Sequence, residues 1–341
     1  MTERTEWVDY AKGIGIILVA YAHLLSSGYH AKLAIPDVFF HLSDSIIYSF
    51  HMPLFFFLAG LFVDQSYTKR GPGSFFVNKL ITIAYPYFVW SFLQVGVELF
   101  FSRHSQRGIM PADFLAIPYL PWSQFWFLYA LLLMFTSYTV VQYFGRFQVT
   151  VMILGACAIF LEPFSTEIMA LHGFSTGFLF FVFGVLGKKY LWRFERYRIP
   201  GIITCILLLI LTGGGYFIFT NLISPMRLTN GAHPFLFLFL AGVGIFFCIG
   251  LAQHLDKQKC CRVIKTLGRY SLQIYLVHML AGVGARIVLW DFFHIQSPLV
   301  HMIVGMGAGL SVPIILYKIA LRINFPYFFK PGRDKRLEVT S

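Results

Sequence analysis

Stretches of uninterrupted apolar residues recur along almost the whole chain, and no other feature restricts its fold so tightly. A helix needs about 20 residues to cross the hydrocarbon core of a bilayer. Runs bounded by polar residues, Pro or Gly fall at about 7–25, 44–63, 79–101, 122–143, 148–162, 174–190, 200–219, 232–253, 270–290 and 298–322. The fifth is short, and it or the sixth is a candidate for a partly re-entrant segment, which leaves about nine to eleven crossings. Composition agrees with this reading. Hydrophobic residues make up 57% of the chain and charged residues 12%, against about 25% charged in soluble domains. So little charge cannot cover a water-facing surface. The expected fold is an all-α, polytopic integral membrane helix bundle of about ten transmembrane helices. It forms one membrane domain over 1–330, followed by a short basic tail at 331–341.

The charge that remains is unevenly placed. With ten crossings and a cytoplasmic N-terminus, 22 of the 27 Lys and Arg residues fall on the inner side. Lys32, Arg103, Arg107, Arg227 and Arg286 are left outside. Such an asymmetry is what the positive-inside rule demands, so both termini are expected in the cytoplasm. It also accounts for the net charge of +12 without nucleic acid as a partner, since no nucleic-acid recognition motif accompanies it. The five cysteines show no CxxC or Cys/His metal spacing, so neither a zinc site nor a disulfide framework is expected. The first apolar run carries Asp9 and Lys12 and is followed by many more, unlike a cleaved signal peptide. There is no tandem repeat and no long soluble loop, so chemistry is expected within the membrane region or at its rims.

Lys12 and His23 stand out in the first span. Eleven residues separate them, or about three turns, so both point the same way about 16 Å apart along the axis. Asp9, one turn before Lys12, is placed to pair with it. Ionisable groups inside a span are costly and normally face a protein interior or a watery cavity. The competing interpretation is that Lys12 snorkels to the interface and His23 is a packing residue.

Four stretches in order resemble the integral membrane acyltransferase-3 family. They are Lys12-x10-His23, Ser49-Phe-His51-Met-Pro53-Leu-Phe-Phe-Phe-Leu-Ala-Gly60, Trp122-Ser-Gln-Phe-Trp126-Phe-Leu-Tyr-Ala-Leu, and Leu267-Gly-Arg-Tyr-Ser271-Leu-Gln-Ile-Tyr275-Leu-Val-His278. The opening Asp-x-x-Lys-Gly-x-Gly is most similar to the sugar O-acetylase branch. Members often begin the first motif with Arg, and Lys lacks the planar fork that grips phosphate with two bonds. The Arg-x-x-Arg common before the third span is absent too, and Lys69-Arg70 and Lys79 stand in its place.

The resemblance implies a membrane O-acyltransferase, of the group transferring acyl groups other than amino-acyl. Its donor would be acyl-CoA, acetyl-CoA in the first instance, used as a co-substrate with no tightly bound cofactor and no metal. Its acceptor would be a carbohydrate or lipid-linked glycan, and its setting the bacterial cytoplasmic (inner) membrane. O-acyl transfer needs a base for the hydroxyl proton and donors for the developing oxyanion. A neutral imidazole can be that base near pH 7, and His23 is the first choice, either directly or as a covalent acyl-histidine. His51 belongs to the outer half of the second span, where Pro53 loosens the backbone; its alternative role is to cap a broken helix. Glu98 is a candidate to orient a histidine or bind sugar hydroxyls, or else to pair with Arg103. Lys12 and Lys79 are the candidate donor-binding cations. Trp126, His278 and Arg286 are candidate substrate contacts, with the aromatic belt, core packing and an ion pair to Asp291 as their alternatives. A multi-span transporter or flippase of a sugar-linked or anionic substrate also accounts for many spans and intramembrane histidines. So does a non-catalytic membrane scaffold, against which the Lys12/His23 face argues.

Overall fold

The computed structural model describes residues 6–101, 110–162, 168–191, 199–221 and 233–332. These residues are almost entirely helical, with no strand among them. The chain runs through α1 (Glu6–His30), α2 (Asp37–Tyr48), α3 (His51–Leu61), α4 (Val63–Arg70) and α5 (Pro72–Lys79). A π-helical turn at Leu80–Ala84 leads into α6 (Tyr85–Phe100), and the short α7 (Asp113–Ala116) follows. Next come α8 (Trp126–Val141), α9 (Gln148–Leu161), α10 (Met169–Leu191), α11 (Gly201–Asn221) and α12 (Pro234–Gln258). The last three are α13 (Arg262–Arg269), α14 (Ser271–Asp291) and α15 (Pro298–Arg322). Among the described residues, 9 continuous helical stretches are long and apolar enough to cross a membrane. The protein is an all-α multi-pass helix bundle.

One of the nine, Ser123–Leu161, contains two of the ten expected runs. Gly145, at φ 54 and ψ −120, takes a conformation that a side chain would make costly, and the chain turns back there. Tyr138 on α8 lies against Phe181, while Phe160 on α9 lies against the adjacent Phe180. The two therefore sit at one depth along α10, whereas a straight helix would hold them about 33 Å apart. α9 is the short run, and its 14 residues reach only about 21 Å.

α1 runs through the middle of the bundle, touching α2, α3, α12, α13, α14 and α15. Its N-terminal part is clamped by α13. A Cβ on Gly13 would meet the Ile264 carbonyl oxygen at 2.0 Å, and one on Gly268 would meet the Asp9 carbonyl oxygen at 1.7 Å. Only glycine permits backbones so close. Polar contacts surround this crossing: Lys265 to Glu6 at 2.6 Å, Arg269 to Asp9 at 3.2 Å, and the Tyr10 hydroxyl donating to the Cys260 carbonyl at 2.9 Å. Asp9, expected to pair with Lys12, thus has Arg269 as an ion-pair partner. The basic tail falls mostly outside the described residues, as do Arg103, Arg107 and Arg227.

Candidate functional site

The second span is broken between α2 and α3, and the break positions His51. Pro53 has no amide to donate to the Ser49 carbonyl, and its ring crowds that position. Phe50 leaves the helical region at φ −144 and ψ −20, and α3 restarts at His51. Its Nδ1 lies 2.8 Å from the Ile47 carbonyl oxygen, so the histidine does cap a broken helix. A carbonyl can only accept, so Nδ1 carries the proton and Nε2 keeps its lone pair.

His278 on α14 repeats the device. Its Nδ1 lies 2.8 Å from the Tyr275 carbonyl and 3.0 Å from that of Ile274. The ring is fully buried. Its Nε2, directed away from the backbone that holds Nδ1, has no hydrogen-bond partner among the described residues. A buried acceptor without a donor is uncommon and calls for an explanation.

His23 supplies the context for both rings. Its ring centroid is 5.3 Å from that of His278 at an interplanar angle of 53°, and His51 is its other electrostatic neighbour. Three histidines from α1, α3 and α14 therefore form one cluster inside the bundle, with His23 half-buried and the other two buried. The imidazole of His23 faces protein rather than lipid. No group of three or more His, Cys, Asp or Glu residues that could hold a metal ion occurs among the described residues.

Lys12 stands on the same face of α1, three turns toward the N-terminus. Its charge and that of Arg70 bear on Lys79, so three cations from α1, α4 and α5 gather at that end of the bundle. The Lys79 ammonium sits 3.9 Å from the Phe135 ring centroid and 5.1 Å from that of Phe75. These aromatic faces hold it by cation–π attraction. Lys79 is also the last residue before the π-helical turn, a local irregularity found often at functional sites.

The remaining candidates lie around the histidines rather than among them. Glu98 accepts a hydrogen bond from Gln94 Nε2 at 2.8 Å, and Gln94 exchanges amide hydrogen bonds with Gln124 at 2.7 and 3.2 Å. The Tyr275 hydroxyl donates to the Gln124 carbonyl, and the Tyr275 ring lies 6.1 Å from that of His278. Glu98 thus reaches the cluster only through a chain of side chains. Trp126 packs against Phe56 and Phe127 and over Gly173, on the α10 side of the bundle. Arg286 is eight residues beyond His278 on α14, about 12 Å along the axis, with Asp291 as its electrostatic neighbour. Gln94 and Gln124 were not singled out from the sequence, although a Gln within an apolar run is a visible signal. Tyr48, whose ring meets that of His51 edge-on at 4.8 Å, carries no such signal.

The bundle thus gathers imidazoles in its interior and cations toward one end. The chain belongs to the acyltransferase-3 family: the model of its acyltransferase domain matches residues 5–318. No curated protein and no solved structure matches it. The protein is thus a membrane acyltransferase.

Proposed function

We propose that the protein moves an acyl group, acetyl in the first instance, from acyl-CoA to a hydroxyl of a sugar or lipid-linked glycan. The setting is the bacterial cytoplasmic membrane, with both termini inside. The observation that carries this reading is the pairing of His278 with His23, which shares its face of α1 with Lys12. Lys12, Arg70 and Lys79 offer positive charge to the donor's phosphates at the cytoplasmic mouth. The thioester reaches along α1 toward His23.

His23 takes the proton of the acceptor hydroxyl as its oxygen attacks the thioester carbonyl. A C–O bond forms and the C–S bond breaks. The imidazolium then returns the proton to the departing thiolate. His278 is fixed by its backbone contacts as an acceptor, so it can receive a hydrogen bond from the His23 ring or from the attacking hydroxyl.

The test is acyl transfer by the purified protein in liposomes with radiolabelled acetyl-CoA and a panel of sugars. His23→Ala should lower transfer by about 10²–10⁴-fold at unchanged yield. Lys12→Ala should raise the donor KM and leave the acceptor KM unchanged. Transfer that survives His23→Ala would overturn the assignment, and solute flux without transfer would favour a transporter.

A further inference from the structure

The histidine cluster continues outward along α2, toward the end of the bundle opposite Lys12. Tyr48 touches His51 edge-on. One turn above it is Asp44, whose charge bears on Tyr48. His41 and His30 are in turn the electrostatic neighbours of Asp44. Beyond them the Tyr29 hydroxyl donates to Asp37 at 3.0 Å, and the Tyr29 ring stacks on Phe40 at 3.9 Å. A line of polar groups therefore runs from the rim to the interior imidazoles.

Asp44 distinguishes this line from a solvated edge. Its side chain is half-buried within the second span, yet no protein donor hydrogen-bonds its carboxylate among the described residues. A carboxylate accepts up to about four hydrogen bonds and donates none when ionised. Taking it out of bulk water is costly unless donors meet it. A partner that displaces water from this partly exposed carboxylate must therefore bring hydrogen-bond donors. An anionic partner is disfavoured by Asp37 and Asp44 together. A polyhydroxylated molecule satisfies every group in the line: its hydroxyls donate to the carboxylate, the imidazoles exchange hydrogen bonds with it, and the Tyr48 ring offers an apolar face.

We infer that Asp44, His41, His30 and Tyr48 form an acceptor subsite for a polyhydroxylated, carbohydrate-class substrate, leading it to His51 and His23. The inference rests on the acyl-transfer reading and adds to it the place where the acceptor is held. Asp44 is the group that fixes its orientation.

The test uses the full-length protein in liposomes with radiolabelled acetyl-CoA and a panel of methyl glycosides and short oligosaccharides. Asp44→Asn keeps the shape and removes the charge. Its acceptor KM should rise about tenfold or more, the loss expected for a hydrogen bond to a charged group, while the donor KM stays unchanged. An unchanged acceptor KM at intact yield, or an equal rise for donor and acceptor, overturns the subsite. Absence of transfer by the wild-type protein counts against the acyl-transfer reading instead, and the subsite is then judged by accessibility. With the native cysteines replaced by Ser, Asp44→Cys should react with a sulfonated maleimide added from the Tyr29 side. Leu209→Cys, on the exposed apolar surface of α11, should not. A folded Asp44→Cys protein that resists labelling shows a sealed position and overturns the proposal.

Discussion

An imidazole has two nitrogens to place, and His278 has placed one. Both carbonyls at its Nδ1 come from its own helix, so the tautomer is set by local backbone and not by distant packing. A base in a low-dielectric interior benefits from such prior ordering. If His23 and His278 work as a unit, His278→Ala should lower kcat by about 10²-fold or more with the donor KM unchanged. The double variant with His23→Ala should then be no slower than His23→Ala alone, because losses within one unit are not additive. Full additivity would assign His278 to packing. Tyr275→Phe removes the hydroxyl that donates to the Gln124 carbonyl and should cost about 1 kcal/mol of stability, read as a lower thermal midpoint. His23 and Lys12 were legible in the sequence because an ionisable residue on an apolar helix is conspicuous. The tautomers were not, since they depend on which carbonyls a proline or a helix turn leaves within reach. The pairing of Gln94 with Gln124 was equally hidden, because nothing local to either residue points to the other.

At the scale of elements, irregular backbone does most of the positioning. Pro53 ends α2 early and turns His51 into the first residue of a new helix, an effect the sequence made visible. The π-helical turn after Lys79 precedes Pro86, which itself cannot donate a backbone hydrogen bond. The reversal at Gly145 was only half legible. The short fifth run was plain, but its return along α10 depends on a glycine dihedral that composition does not specify. Gly145→Ala should destabilise the fold by about 1–3 kcal/mol without changing the donor KM. The crossing of α1 and α13 is tighter still. Gly268→Val should lower stability by about 1–3 kcal/mol through overpacking. Because α13 clamps the turn that carries Lys12, that variant should also raise the donor KM. An unaltered thermal midpoint would argue against the close approach.

For the whole molecule, the sequence was most informative where the solvent is lipid. Run length specifies a multi-pass bundle from residue counts alone, with no need to know which helices touch, and the charge asymmetry supports the sidedness proposed above. The exposed thiols of Cys260 and Cys261 lie at the end of the bundle that carries Glu6 and Lys265. They should react with an impermeant maleimide in inverted vesicles and remain unreactive in intact cells. Labelling in intact cells would reverse the proposed orientation.

α1 is a single unbroken helix from Glu6 to His30, so the lysine and the imidazole it carries cannot drift apart. It behaves as a ruler of fixed gauge, about 16 Å between the two marks. Anything bridging them has to match that span. A thioester on a clipped carrier, such as S-acetyl-N-acetylcysteamine, is too short to engage both marks. It should be a poor donor for the native protein, and Lys12→Ala should make it no worse.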